Sequence, residues 1–413
     1  MTGLRCHEWA RFGRITRLVR YALSLTLPLI LSMGSAQSHD PNAWGGLFRS
    51  RDGGATWMSA NRGQLLNGVT ALAVSPADPN HLLLGAETGL FRSRNGGRDW
   101  TIEAPSVVLG SVFAAAFAAD GQRALISTGL GIFRGTDENG WQPAPSPQSA
   151  APARAIISSR AGGFYLASAT GLYRSDDRGA LWSSGGDGFP EEPATVLLAV
   201  RSTPETLCAI VEGHLWASAD GGRNWTRRGT GTPLSKIDAL AEDLQQPALL
   251  WAASADRVFR SNDAGASWLP VGPPLPEPNT IVHGIAASEK AIVLTTDRGL
   301  YRRTDDNANW IPIIDNLPAH LEAGPLVHDP IDPATLYAGF SLIPYSELWR
   351  RAGERESALA RVGAASLAGS AVLLVLIVFA AVAALRWLGR YYANNGPAAR
   401  STREIAIQGR KLR

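Results

Sequence analysis

Glycoside cleavage generally needs two carboxyl groups placed on either side of one bond, so the search for chemistry in this 413-residue chain starts from its acids. Among residues expected on inner strands, Arg154, Asp238 and Glu242 are the chief charged candidates. Asp238 and Glu242 stand four apart on one expected strand and share a face. At ~3.3 Å per residue they are ~13 Å apart, too distant for a carboxyl pair. The seven histidines are scattered, and no Cys/His spacing fits a metal site. Catalytic, cofactor-binding and metal residues are therefore expected to be absent. Cys208, within the apolar run Leu207 to Val211, reads as a buried strand cysteine.

The acids that do recur are spaced regularly. Ser50, Asp52, Gly54 and Trp57 follow the pattern Ser-x-Asp-x-Gly-x-x-Trp. So do Ser175, Asp177, Gly179 and Trp182; Ser218, Asp220, Gly222 and Trp225; and Ser261, Asp263, Gly265 and Trp268. Ser93, Asn95, Gly97 and Trp100 keep the spacing with Asn in the acid's place. Two copies are one residue short: Gly135 to Trp141, with Asp137, and Thr304, Asp306 and Trp310, with Ala308 where Gly would stand. Each reads as a strand, a tight turn and a second strand, because Asp and Gly suit turns and apolar residues flank them. The carboxylate is suited to accept amides within its own turn, and the Trp to bury ~150–250 Å². These positions are expected to be structural.

The seven tryptophans fall 41 to 43 residues apart, and a period of that length with several short strands per unit marks a β-propeller. Over roughly residues 44 to 353 the motif, preceded by Gly-Leu-Phe-Arg, resembles the Asp-box, or bacterial neuraminidase repeat. That repeat occurs in sialidases, two-domain xyloglucanases, sortilin-type receptors and the photosystem II stability/assembly factor family. The resemblance implies a fold element on the blade rim, away from any active site.

From Gly68 each unit follows one plan, with strands at Val69 to Val74, His81 to Leu84 and Gly89 to Ser93, then a last strand at Trp100. Similar first strands near Phe113, Ile156, Leu197, Leu240, Ile285 and Leu326 make seven blades. The last unit has no box after it, and the hairpin Gly46 to Ala60 has no inner strands before it. Joining the two closes the ring and hides two sheet edges. Leu47 to Ser50 and Glu347 to Arg351 both qualify as the third strand of that blade. The all-β, seven-bladed propeller is expected to span 37–353. Arginines ahead of the boxes (Arg49, Arg92, Arg134, Arg174, Arg260, Arg302) share one repeat position, which favours a solvated or stacked place on the rim over a ligand site.

Residues 1–36 carry five arginines against Glu8, an apolar run from Tyr21 to Met33, then Gly34-Ser35-Ala36, the form of a secretory signal peptide. After a linker at 354–361, Val362 to Leu385 is uncharged. Its ~36 Å of helix suffices to cross a bilayer as a transmembrane segment. The tail 386–413 is basic, which assigns it to the cytoplasm and the propeller to the extracytoplasmic (periplasmic or extracellular) side of a single-pass membrane protein. The two basic ends more than account for the formal net charge of +3, so the body between them is acidic and unsuited to nucleic acid.

The expected function is a membrane-anchored scaffold or assembly factor whose partners are the membrane and other membrane proteins. A sialidase-like glycoside hydrolase is disfavoured: the Arg-Ile-Pro signature is absent and sialidases have six blades. A sortilin-like receptor is a further alternative, though sortilins have ten blades and cysteine-rich modules.

Overall fold

The computed structural model describes residues 45–353 except 63–65, 67, 137–139, 148–149, 202–204, 230–233, 235, 289–290, 306 and 319–320, together with 379, 382–387 and 390. Seven four-stranded antiparallel sheets form the blades. Blade 1 consists of Val69–Val74, Leu82–Ala86, Gly89–Ser93 and Thr101–Glu103, innermost strand first. Blades 2 to 6 repeat this order, with innermost strands Val112–Phe117, Ala153–Ser158, Ala194–Val200, Ala239–Glu242 and Val282–Ala287. Blade 7 takes its inner strands, Glu322–His328 and Leu336–Ser341, from the C-terminal side and its outer strands, Gly46–Ser50 and Met58–Ser59, from the N-terminal side. Gly46 pairs with Phe340 and Ser50 with Leu336, which closes the ring. The other third-strand candidate forms no strand: Tyr345–Gly353 is a helix, α1, whose first turn is set by Pro344, where the carbonyl accepts the Leu348 amide.

Seven apolar clusters hold the blades together, and each joins two neighbours. Trp57, 1% exposed, packs with Phe48 and Leu336 of its own blade and with Val293 and Leu300 of blade 6. Trp225 packs with Tyr165 and Leu172 of blade 3, and Trp268 with Leu215 of blade 4. The tryptophans are therefore wedges between blades, where the repeat alone led us to expect burial against one sheet. Their indole N–H groups find partners: Trp57 donates to Gly54 O at 3.1 Å, Trp225 to Gly222 O at 3.2 Å, and Trp100 to Ala60 O at 2.7 Å. Gly265 explains the box glycine. Its φ is +84°, and a Cβ there would lie 2.2 Å from Leu215 of the preceding blade.

Within each intact box the Ser hydroxyl donates to the acid and accepts the Gly amide. In blade 4 these distances are 2.8 Å (Ser218 to Asp220) and 2.9 Å (Gly222 to Ser218). The residue four after Ser-x-Asp's acid then donates twice: Asn224 through its backbone at 3.0 Å and its side chain at 2.7 Å. Thr56 and Ser267 do the same for Asp52 and Asp263, and Ser175 and the Leu181 amide serve Asp177. Where Asn95 replaces the acid, polarity is inverted: its side-chain amide donates to Asp99 at 2.8 Å. Asp306 and Asp137, of the shortened boxes, lie outside the described residues. Trp310 and Trp141 are nevertheless buried, whereas Trp182, in an intact box, is only partly so.

These donors lower the box carboxyls. At Asp52 and Asp263 desolvation is the largest single influence and acts upward, but the side chains of Thr56 and Ser267 and neighbouring amides outweigh it, leaving Asp263 at about 2. At Asp220 the Asn224 side chain leads, and the carboxyl falls well below the usual range.

Two outcomes follow from this packing. Trp225→Ala should cost ~3–5 kcal/mol in urea unfolding followed by circular dichroism, and Trp182→Ala, half-buried at the equivalent position, distinctly less. An equal cost would show that the wedge does not carry the stability. Because the folded carboxyls titrate below the unfolded value of ~3.9, their stabilisation is complete above that pH and is lost as pH falls towards about 2 for Asp263. Asp263→Asn should make the decline of stability across that window shallower, and an unchanged slope would count against it.

Candidate functional site

A propeller has two faces, and this one separates fold from variation. One face carries the boxes and the turns after the innermost strands. The other carries the starts of the innermost strands, the hairpin tips between second and third strands, and α1. On the box face three of the repeated arginines act as latches to the next blade. Arg49 donates to Gly96 O, Arg174 to Gly221 O at 3.4 Å and Arg302 to Gly53 O at 3.0 Å, always the residue after the box acid or its Asn substitute. Arg92 is instead buried, paired with Glu103 at 2.9 Å and close to His81. The solvated or stacked rim expected from periodicity is thus corrected for these four: they join blades or lie inside them.

Clefts open beside the blades whose boxes are shortened. Between blades 2 and 3, Arg178 stands where three other boxes have Gly (Gly53, Gly96 and Gly221), and a cavity of about 300 Å³ is lined by Arg123, Arg134, Arg178 and Phe164. Between blades 5 and 6, beside the shortened box of blade 6, a groove of about 790 Å³ is lined by Asp243, Trp251, Arg260 and Arg303.

The opposite face is built on one structural position. Each innermost strand starts with an apolar residue, a variable residue and a small or apolar one, as in Val69-Thr70-Ala71, Ala153-Arg154-Ala155 and Val282-His283-Gly284. In six blades the register shifts here, the mark of a β-bulge. In blade 5 the Asp238 amide donates to Ala253 O, next to the Ala239–Ala253 pair. The seven variable residues are Thr70, Phe113, Arg154, Thr195, Asp238, His283 and Gly324, and they ring the mouth of the central channel. The box positions are nearly uniform, while these are all but unlike one another. The repeated apolar-x-small signal was present in the sequence, but without the bulge nothing distinguished it from ordinary strand alternation.

Half of this mouth is covered. Ser341 donates to Val69 O at 3.1 Å, and the Tyr345 hydroxyl lies 3.0 Å from both Phe113 O and Arg154 O. The Phe113 and Tyr345 rings meet edge to face, and the Arg154 guanidinium stands 5.6 Å from the centre of the Trp349 ring. Burial pushes the Tyr345 hydroxyl strongly upward, so it stays protonated. On the blade 4 to 6 side the mouth is open, with Thr195 and His283 exposed. His283 Nε2 stands 3.6 Å from Glu322 Oε1, and burial raises the Glu322 carboxyl against the influence of His283.

The three charged candidates do not converge. Arg154 is engaged by α1. Asp238 accepts the Ala255 amide at 3.0 Å beside Lys236, while Glu242, at the other end of the strand, is buried and ion-paired with Arg201 at 3.0 Å. Burial raises Glu242 although Arg201 opposes it. Cys208 is buried, its thiol pushed up to about 12 by desolvation. Among the described residues no cluster of His, Cys, Asp or Glu could hold a metal ion, and no helix is long and apolar enough to cross a membrane. The expected signal peptide and linker lie outside the described residues, as does most of the expected span and tail.

No protein-family model matches the chain, and no curated protein matches it. Solved structures do. YCF48 from Cyanidioschyzon merolae is similar at 12% identity and a TM-score of 0.50 over 67% of this chain and 96% of that one. YCF48 bound to a D1 peptide gives 15% and 0.52 over 67% and 94%. Virginiamycin B lyase from Staphylococcus aureus gives 16% and 0.51 over 72% of this chain and all of that one. The GH74 xyloglucanase from Xanthomonas campestris gives 20% and 0.51 over 62% of this chain and 50% of that one. What this chain shares with all of them is the β-propeller fold.

Proposed function

We propose that this protein is a membrane-attached, extracytoplasmic propeller that binds other proteins as a scaffold or assembly factor for a membrane complex. The observation that carries this reading is the differentiated channel mouth. Seven equivalent positions are varied enough to recognise a surface, yet Arg154, Asp238 and Glu242 stand apart, each in its own structural contact. Charged groups held that way cannot act together on one bond. The resemblance to YCF48, which has been seen with a D1 peptide bound, supports a protein ligand. Attachment is supported by the uncharged stretch Val362 to Leu385 and the basic tail. Within that region residues 382–387 are helical. The N-terminal leader delivers the propeller across the membrane and leaves the tail behind.

Capture of tagged full-length protein in mild detergent should recover integral membrane proteins, and the pair Asp238→Ala and His283→Ala, at the open mouth, should reduce that recovery severalfold. Recovery of soluble ligands alone, or full function from a freely secreted version without residues 362–413, would reject the scaffold reading. Purified propeller should turn over neither sialosides nor β-glucans above a heat-denatured control.

A further inference from the structure

The face that bears α1 is polarised, and the polarity points to what it touches. Large exposed apolar side chains on its loops gather at blades 7, 1 and 2: Ile314, on the connection into blade 7, with Val107, Leu109, Leu130 and Leu342, of which Ile314, Leu109, Leu130 and Leu342 are 77%, 52%, 74% and 60% exposed. Leu130 stands at the tip of a two-residue hairpin, held by its amide to Thr128 Oγ1 at 3.1 Å. The equivalent tip residues in blades 1 and 3 to 6 are Thr88, Thr170, Gly213, Asp256 and Arg298. The leucine is the single apolar choice at that position, and nothing in its own blade calls for it. Val107 and Leu109 flank Val108 on a turn closed by the Val107 and Val108 amides to Ala104 O. Val108 is buried in the core between blades 1 and 2, so the turn is pinned while its neighbours project outward.

Charge is distributed the opposite way. In the described loops of this face at blades 7, 1 and 2, Arg62, Glu87 and Asp315 are the charged residues, and the connection from blade 2 to blade 3, residues 144–152, has none. At blades 4 to 6 the same kinds of loop carry Asp187, Glu191, Glu192, Glu212, Asp256, Glu277 and Asp297, with Arg228, Lys236 and Arg298 among them. Ile281 is exposed on this side too, but it sits against Asp297, whose carboxylate accepts its amide. A sparsely charged edge with apolar tips faces an acidic edge across one disc.

We infer that the edge formed by Val107, Leu109, Leu130 and Leu342 rests in the headgroup region of the lipid bilayer. This deepens the membrane-attached reading above and rests on it. The chain itself selects lipid as occupant: it leaves the propeller from this same side through α1, which ends at Gly353, and only eight residues precede the uncharged stretch at Val362. Eight extended residues reach at most ~28 Å, so this face is kept within about one propeller radius of the membrane. Scattered apolar tips on sparsely charged loops partition into that zone, whereas anionic headgroups repel the acidic edge. The disc is therefore tilted, with blades 4 to 6 raised and the open half of the channel mouth lifted away from lipid.

The test uses full-length protein carrying Cys6→Ser, reconstituted in vesicles of phosphatidylcholine and phosphatidylglycerol. Cys208 is buried and stays unlabelled. Single cysteines at Leu109→Cys and Leu130→Cys, and on the box face at Leu181→Cys and Ile331→Cys, take a bimane label, and brominated lipid is the quencher. Quenching at positions 109 and 130 should exceed that at 181 and 331 by about threefold or more. Equal or absent quenching, in protein that stays with the vesicles through an alkaline wash, overturns the lipid-facing edge and leaves attachment intact. Release by that wash overturns attachment and the edge together. Disulfide dimers through position 130 without lipid quenching would assign the edge to a second copy of the chain and likewise overturn the inference.

Discussion

Everything in this molecule depends on an aromatic wedge being held at a fixed angle between two sheets. A four-stranded blade has no core of its own, because its two apolar faces each need a neighbour. The box supplies that neighbour contact economically in sequence. Ser and Asp fix the turn, Gly lets the backbone approach the preceding blade, and Trp fills the gap that remains. The wedge recurs in all seven apolar clusters, less deeply buried at Trp182, so each junction between neighbouring blades carries one. Variation is then tolerated elsewhere, and the channel mouth is where it accumulates.

Shortened boxes show what happens when part of this device is lost. In blades 2 and 6 the tryptophan is kept and buried, so the wedge survives without the complete turn. What disappears is the cover over the rim, and clefts open beside both blades. At the tip of the blade 3 turn stands Arg178, and its guanidinium and that of Arg134 both line the cavity that opens there.

Blade number and the strand–turn–strand form of the boxes were legible in the sequence because each depends on local spacing. The tryptophan period sets the repeat, and Asp with Gly sets the turn, before any distant contact is known. Three features were not legible. Glu347 to Arg351 has enough apolar character for a strand, and only the pairing of Gly46–Ser50 with Leu336–Ser341 leaves it free to be helical. The arginines share one periodic position yet meet different partners, because the partner belongs to the next blade. The bulged residues at the channel mouth look like ordinary strand residues until seven of them are brought into one ring.

The closing blade ties the two ends of the propeller together through residues nearly three hundred positions apart, from Gly46 with Phe340 to Ser50 with Leu336. Synthesis delivers the outer strands of that blade first and its inner strands last. Until then Phe48, fully buried in the finished ring, has no sheet to cover it, and the first blade has an open flank. Closure is a long loop search and so belongs to the slow end of folding. During that interval the nascent chain presents an unpaired, apolar strand edge of the kind that captures other strands. Successful production of this protein therefore depends on how long the earliest strand can be kept waiting for the latest one, which makes chaperone protection of residues 46–59 a more decisive step than the folding of any single blade.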